Sequence, residues 1–215
     1  MKQKLLQFSL IIALLLFAKS SFAFDDGDWQ FWFNQTFSGK LNENWGVTFS
    51  EELRYGDDMS SFFREHSDLA VSYKISDEWF CSAHFKYIYK KKSGDWQKET
   101  RPYLNFSYKF KINEIKFKNK VQAEYRDKET NDFYRFRNQL TATFPKLFDK
   151  YTTYISEEIF IDTEDDEINR NRLKFGIKTH LFSKLYGETY YLWQTDKKDS
   201  WVDTNIIGLK LKIKF

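Results

Sequence analysis

Apolar and polar residues alternate with a period of two through most of this 215-residue chain. That period puts successive side chains on opposite faces of an extended strand, whereas a helix face repeats about every 3.6 residues. No helix-period stretch, low-complexity tract or linker interrupts it. The runs are roughly a dozen residues long, enough for a tilted strand to cross a bilayer. They cover Asp28 to Leu41, Trp45 to Gly56, Ser61 to Ile75, Glu78 to Lys90, Glu99 to Ile112, Ile115 to Asp127, Asp132 to Phe144, Lys150 to Asp162, Ile168 to Leu181, Lys184 to Gln194 and Trp201 to Phe215.

Composition narrows the fold class. A mean hydropathy of -0.66 with 30% charged residues excludes a bundle of membrane-spanning helices. The 41% hydrophobic content, rich in Phe and Tyr, argues equally against a disordered chain. The alternation assigns Val47, Phe49, Leu53, Leu69, Val71, Leu104, Phe106, Leu173, Phe175 and Ile177 to one face. The opposite face is dominated by Lys and Arg, which fill a small soluble core poorly but suit a watery lumen. Trp29, Trp45, Trp79, Trp193 and Trp201 fall near run ends, where aromatic girdles sit.

The expected fold is an all-β, antiparallel, up-and-down transmembrane barrel. Tight turns at Asn42-Glu43-Asn44, Ser76-Asp77, Asn113-Glu114 and Pro145 to Asp149 alternate with longer, charged connections around Asp57-Asp58, Lys91 to Gln97, Lys128 to Asn131, Thr163 to Glu167 and Thr195 to Ser200. The short side is expected to be periplasmic and the long side extracellular. Eleven runs conflict with the even strand number of bacterial barrels. Ten strands, with the run from Asp28 outside the ring, are therefore expected, with twelve as the alternative.

The chain ends suggest export. Lys2 and Lys4, an apolar run from Leu5 to Ala18 and Ser21-Phe22-Ala23 form a signal-peptide pattern over residues 1–23. The run is short for a membrane span. Cleavage leaves one barrel domain over residues 24–215, beginning at Phe24. It also removes three of the 34 basic residues, leaving 31 against 31 acids. Nucleic-acid binding thereby loses its electrostatic motive. At the far end Leu209, Leu211, Ile213 and Phe215 alternate with lysines, resembling the assembly signal of Gram-negative outer-membrane barrels. The expected route is general secretory export to the outer membrane, with periplasmic chaperones, the barrel-assembly machinery and outer-membrane lipids as partners. No oligomeric state follows from the sequence.

The start DGDWQFWF, the stretch SGKLNENWGVTFSEELRY and the later FYRFRNQLTATF resemble the domain-of-unknown-function 2490 family of bacterial proteins. The resemblance covers essentially the whole mature chain. It implies an outer-membrane barrel and brings no catalytic residue to carry over.

Chemistry is sparse, and no catalytic, metal or cofactor residues are assigned. His66, His84 and His180 lack paired metal spacing, and Cys81 faces away from His84. Glu164 to Glu167 lacks the order of a calcium loop. Ser82 and His84 share a face with Asp68 nearly opposite, but residues two apart on a strand are expected to miss the close contact a triad needs. That face also points away from a lipid substrate, so polar packing is expected there, with lipid modification the least favoured function.

Two lumen features remain. Pairing strands across the outer connections sets Glu52 near Arg64, Glu124 near Arg135 and Glu158 near Arg172, a network narrowing the outer lumen. Lys116, Lys118, Lys120, Lys210, Lys212 and Lys214, with Lys109, Lys111, Lys174 and Lys178, gather toward the periplasmic half. The leading expectation is a narrow porin-like or solute channel with a charged lumen. The alternative is a structural barrel whose lumen is filled by ion pairs.

Overall fold

The computed structural model describes residues 26–92, 94–129, 131–148, 150–164, 167–197 and 200–215. The expected signal segment, Phe24, and Asp165 and Asp166 of the acidic loop lie outside these residues. Eleven strands form among the described residues: β1 (Asp28–Lys40), β2 (Trp45–Gly56), β3 (Ser61–Lys74), β4 (Trp79–Lys92), β5 (Asp95–Ile112), β6 (Ile115–Lys128), β7 (Asp132–Leu147), β8 (Tyr151–Asp162), β9 (Glu167–Phe182), β10 (Leu185–Lys197) and β11 (Trp201–Lys214). They close into a barrel in sequence order.

The odd number is resolved at the seam. The first run is inside the ring, and β1 pairs with β11 in parallel from Asp28↔Thr204 to Ser38↔Lys214. All other neighbours are antiparallel. The sheet is therefore mixed, with eleven strands instead of ten or twelve. Parallel closure lets two strands running the same way satisfy each other's backbone groups, so an odd barrel has no edge.

We call the rim where β1 and β11 begin the upper rim, and the rim holding Phe215 the lower. Connections at both rims span two to four residues. Most of the charged stretch from Lys91 to Gln97, expected as a long connection, is strand, with Lys92 opposite Asp95. Pairing there extends into β4 and β5 and leaves the charges on strand ends. The lower hairpin at Asn113-Glu114 turns in two residues, with Asn113 at φ 53°, a conformation Asn tolerates.

The outer wall carries the apolar face: Leu69 is 53% exposed and Leu104 64%. Hydrogen-bonded polar pairs interrupt it, among them Asn119 with Asn138, Glu157 with Asn171 and Tyr191 with Asn205. The buried side chains point into the lumen and are largely polar or charged, among them Glu124, Glu158, Arg135 and Gln122. This inverts a soluble protein and suits a wall that meets lipid. On the seam side of the lumen Trp32, Tyr190, Leu192 and Ile206 form an apolar cluster.

One glycine supports that cluster. A Cβ at Gly208 would lie 2.0 Å from Cζ of Tyr190, so the ring occupies the space a side chain would need. Gly208→Ala is expected to push the ring out and cost about 1–3 kcal/mol. Urea unfolding of the purified barrel checks this, and an unchanged midpoint would contradict the close packing.

Candidate functional site

The lumen is the concave, charged part of the molecule, and alternation builds it. The even positions of β6, β9 and β11 and the odd positions of β5 and most of β7 point inward. Antiparallel register then places carboxylates beside guanidinium groups at mid-height. Arg101 bonds Glu99 through Nε at 2.5 Å, and its Nη1 lies 3.5 Å from Glu124. Glu124 accepts from Arg137 at 2.7 Å, and Arg137 donates to Glu158 through Nη2 at 2.6 Å. Arg172 Nη1 lies 3.7 Å from Glu158, while its Nε donates to Gln194 at 2.7 Å. The guanidinium of Arg172 is 5.3 Å from the Trp32 ring, and that of Arg54 is 3.4 Å from it. Together with Glu52, His66, Asp68 and Lys86 on β2 to β4, these groups form a belt around the lumen.

The three expected ion pairs fare differently. All six residues face the lumen. Glu158 and Arg172 are opposite in register and in contact. Glu124 and Arg135 are opposite in register, but Arg135 is paired with Asp162 of β8 through two hydrogen bonds. Glu52 is opposite His66 and is bonded by Arg54, two residues along its own strand, at 2.6 Å. Arg64 sits across from Arg54, and its buried Nε has no hydrogen-bond partner. Asp162 and Glu99, which bridge Arg126, were missed by looking only across the outer hairpins.

Three cavities stack along the lumen. The lower one, about 760 Å³, is lined by Lys118, Lys210, Lys212 and Lys214 with Lys146, Lys150 and Lys178; among the described residues Glu188 is the one carboxylate in that lining. Lys120 lies higher, in a middle cavity of about 250 Å³ with Lys174, Arg64 and Arg172. Lys116 is exposed near the lower end of β6, opposite Lys111. Lys146 was missed because the register shifts between Thr143 and Lys146, turning it inward out of phase with the strand. An upper cavity of about 350 Å³ shares Trp32, Arg54, Arg64, Arg170 and Arg172 with the middle one. Among the described residues, none lines both the lower and middle cavities.

The Ser82 face contradicts its expectation. Ser82 Oγ lies 2.9 Å from His84 Nε2, and His84 Nδ1 lies 2.9 Å from Asp68 Oδ1. The strand twist and an imidazole laid along the strand bring the groups together. Among the described residues, no group of three or more His, Cys, Asp and Glu side chains is placed to hold a metal ion. In the terminal strand Leu209 and Ile213 are exposed on the outer wall. Leu211 shares their parity, and the Phe215 ring covers Gly39 while its N–H donates to Ser38 O at 3.0 Å.

A closed barrel with an apolar wall and an ion-paired lumen defines the class of porin-like β-barrels. Residues 29–205 match the family described as "Protein of unknown function (DUF2490)", and the chain belongs to that family. Curated proteins give no match. Among solved structures the NanC porin has a TM-score of 0.50 at 12% identity, over 80% of this chain and 89% of that one. An anion-selective porin from Comamonas acidovorans has a TM-score of 0.39 at 12% identity, over 76% and 54% of the chains. OmpT with loop L8 deleted, an outer-membrane protein of Vibrio cholerae, has a TM-score of 0.42 at 13% identity, over 74% and 59%. The first likeness is one of fold alone. The other two chains, of which this one spans little more than half, carry no argument.

Proposed function

We propose that the protein is an outer-membrane barrel forming a narrow passage that favours small anions and is constricted at mid-height by its belt of ion pairs. The observation that carries this is the charge of the cavity linings. Among the described residues, seven lysines face one glutamate in the lower cavity. In the middle one, seven arginines and three lysines face Glu52 and Glu158. The lower ring, of one sign, selects the opposite ion, whereas Arg101, Arg135, Arg137 and Arg170 of the middle cavity are ion-paired and set its width. The signal pattern over residues 1–23 supports export through the general secretory pathway with cleavage after Ala23, and in this reading the rim holding Phe215 faces the periplasm. Leu209, Leu211, Ile213 and Phe215 would then be read by the barrel-assembly machinery after delivery by periplasmic chaperones, and the apolar wall would meet outer-membrane lipid.

Reversal potentials across a planar bilayer under a salt gradient test the reading. Anion selectivity is expected, and cation selectivity would overturn it. A second reading, a structural barrel with a filled lumen, is favoured by the dense packing around Glu124, 1% exposed, and Phe160, also 1%. Silence in the wild type and in every belt variant would establish that second reading. Deleting Phe215 is expected to slow assembly several-fold in pulse-chase folding with little change in final stability. An unchanged assembly rate would remove the terminal strand from its proposed role.

A further inference from the structure

Ser82 and His84 lie on β4, three and five residues inside its lower end, and Asp68 faces them from β3. Their contacts run in one order: hydroxyl to Nε2 at 2.9 Å, then Nδ1 to carboxylate at 2.9 Å. A proton on Nδ1 shared with Asp68 leaves Nε2 as the acceptor facing the Ser82 hydroxyl, the tautomer a general base requires. The rest of the cluster holds that order in place. The Tyr103 ring stacks on His84 at 4.2 Å and 14°, and its hydroxyl donates to Asp68 Oδ2. Lys86 Nζ lies 3.1 Å from the same oxygen. The Asn105 amide nitrogen is 3.4 Å from Ser82 Oγ and 2.9 Å from His84 Nε2, while its own buried Oδ1 has no partner. The N–H₂ lies nearer His84 Nε2 than Ser82 Oγ, so it caps the imidazole at rest and must turn to an oxyanion formed at Ser82 when Nε2 takes up the serine proton.

We infer that Ser82, His84 and Asp68 form a nucleophilic site in the lower lumen that hydrolyses small esters carrying an anionic group. Ser82 Oγ attacks the ester carbonyl while His84 Nε2 takes its proton. The ester C–O bond breaks, and the alkoxide leaves with that proton as an alcohol. Water then attacks the acyl-Ser82 with His84 again as base, releasing the carboxylic acid and restoring the hydroxyl. Asn105 supplies a hydrogen bond to the oxyanion in both steps, and Asp68 and Tyr103 are positioning residues. The substrate class follows from location. Ser82 stands as far inside the lower rim as Lys118 of β6 and Glu188 of β10, which line the lysine-rich cavity. A field of that sign concentrates anions at the level of the serine. A lipid substrate is disfavoured, because these side chains face away from the outer wall. The inference does not depend on whether the barrel conducts.

The test uses the full-length barrel purified in detergent, with folding of each variant checked by its heat-modifiable gel mobility. Diisopropyl fluorophosphate is expected to form one adduct, located by mass spectrometry at Ser82, with the phosphorus–fluorine bond broken and the serine proton lost through His84. The labelling rate should fall at least 100-fold in His84→Gln, while Ser72→Ala labels normally. With mono-4-nitrophenyl succinate, Asn105→Ala should lose roughly 100-fold in kcat. Asp68→Asn should lose roughly 1000-fold in kcat with KM nearly unchanged, a split that a general loosening of the barrel would not give. The same ester should turn over roughly 10-fold faster than 4-nitrophenyl acetate at low salt, with the advantage lost at high salt. An unlabelled Ser82 in folded wild type, or full labelling in His84→Gln, would overturn the site. Equal rates on the two esters would overturn the anionic substrate class.

Discussion

Barrel carrying Glu124→Gln together with Glu158→Gln is expected to conduct more than the wild type and to unfold at markedly lower denaturant. These two carboxylates hold the belt. Arg137 donates to both, at 2.7 and 2.6 Å, Arg101 reaches Glu124, and Arg172 and Lys120 approach Glu158 at 3.7 and 3.9 Å. Glutamine keeps the volume and removes the charge, so the guanidinium groups face one another across neutral amides. Leaving buried charge uncompensated costs about 3–5 kcal/mol at a well-buried pair. The side chains of Glu124 and Glu158 are 1% and 5% exposed, so screening by lumen water discounts little of this. Mutual repulsion should swing Arg137 and Arg172 into the adjoining cavities and widen the constriction. Adding Arg137→Gln removes the stranded cation and should restore part of the lost stability, the signature of a coupled group. Unchanged stability in the double variant would mean that the belt is hydrated and constricts nothing.

How much of this was legible follows from the range over which each feature is decided. Alternation is local, so the eleven runs, the outward Leu69 and Leu104 and the inward Glu124 and Glu158 could be read directly. The seam could not. Whether the run from Asp28 pairs with the last strand depends on contacts separated by nearly the whole chain, and nothing near Asp28 announces a parallel partner. The ion pairs fall between these cases. An inward residue has a neighbour on each flanking strand, a diagonal one and another two places along its own strand. Pairing across the outer hairpins samples one of these. Arg135 chose Asp162 on its other side, Glu52 chose Arg54 on its own strand, and Glu124 took the diagonal Arg137. Lys146 was hidden by a register shift, because one extra residue reverses every face that follows. The same own-strand geometry was overlooked for Ser82 and His84. Two residues apart is about 7 Å along a strand, and an imidazole is long enough to lie back across most of that gap.

Trp32→Ala is the second large effect expected, and it acts on the seam rather than on the carboxylates. The indole is 4% exposed and belongs to the apolar cluster with Tyr190, Leu192 and Ile206. Its Nε1 donates to Gln30 at 2.9 Å, and two cations, Arg54 and Arg172, lie over its ring. The ring therefore stabilises the belt on the seam side, where it gives Arg54 and Arg172 an aromatic face. It also lines both the middle and upper cavities, so it stands where they adjoin. Truncation to Ala removes the packing and both cation–π contacts, at a cost of about 3–5 kcal/mol. It also joins cavities of about 250 and 350 Å³ into one larger space lined by guanidinium groups that have lost their aromatic face. Conductance for anions should rise further than in Trp32→Phe, which keeps an aromatic face for Arg54. Trp29→Ala, at an outward and half-exposed ring, should change neither conductance nor unfolding by a comparable amount. Equal behaviour of Trp29→Ala and Trp32→Ala would show that the seam cluster does not close the lumen. The conducting path would then have to run along the opposite wall, past Ile88 and Phe160.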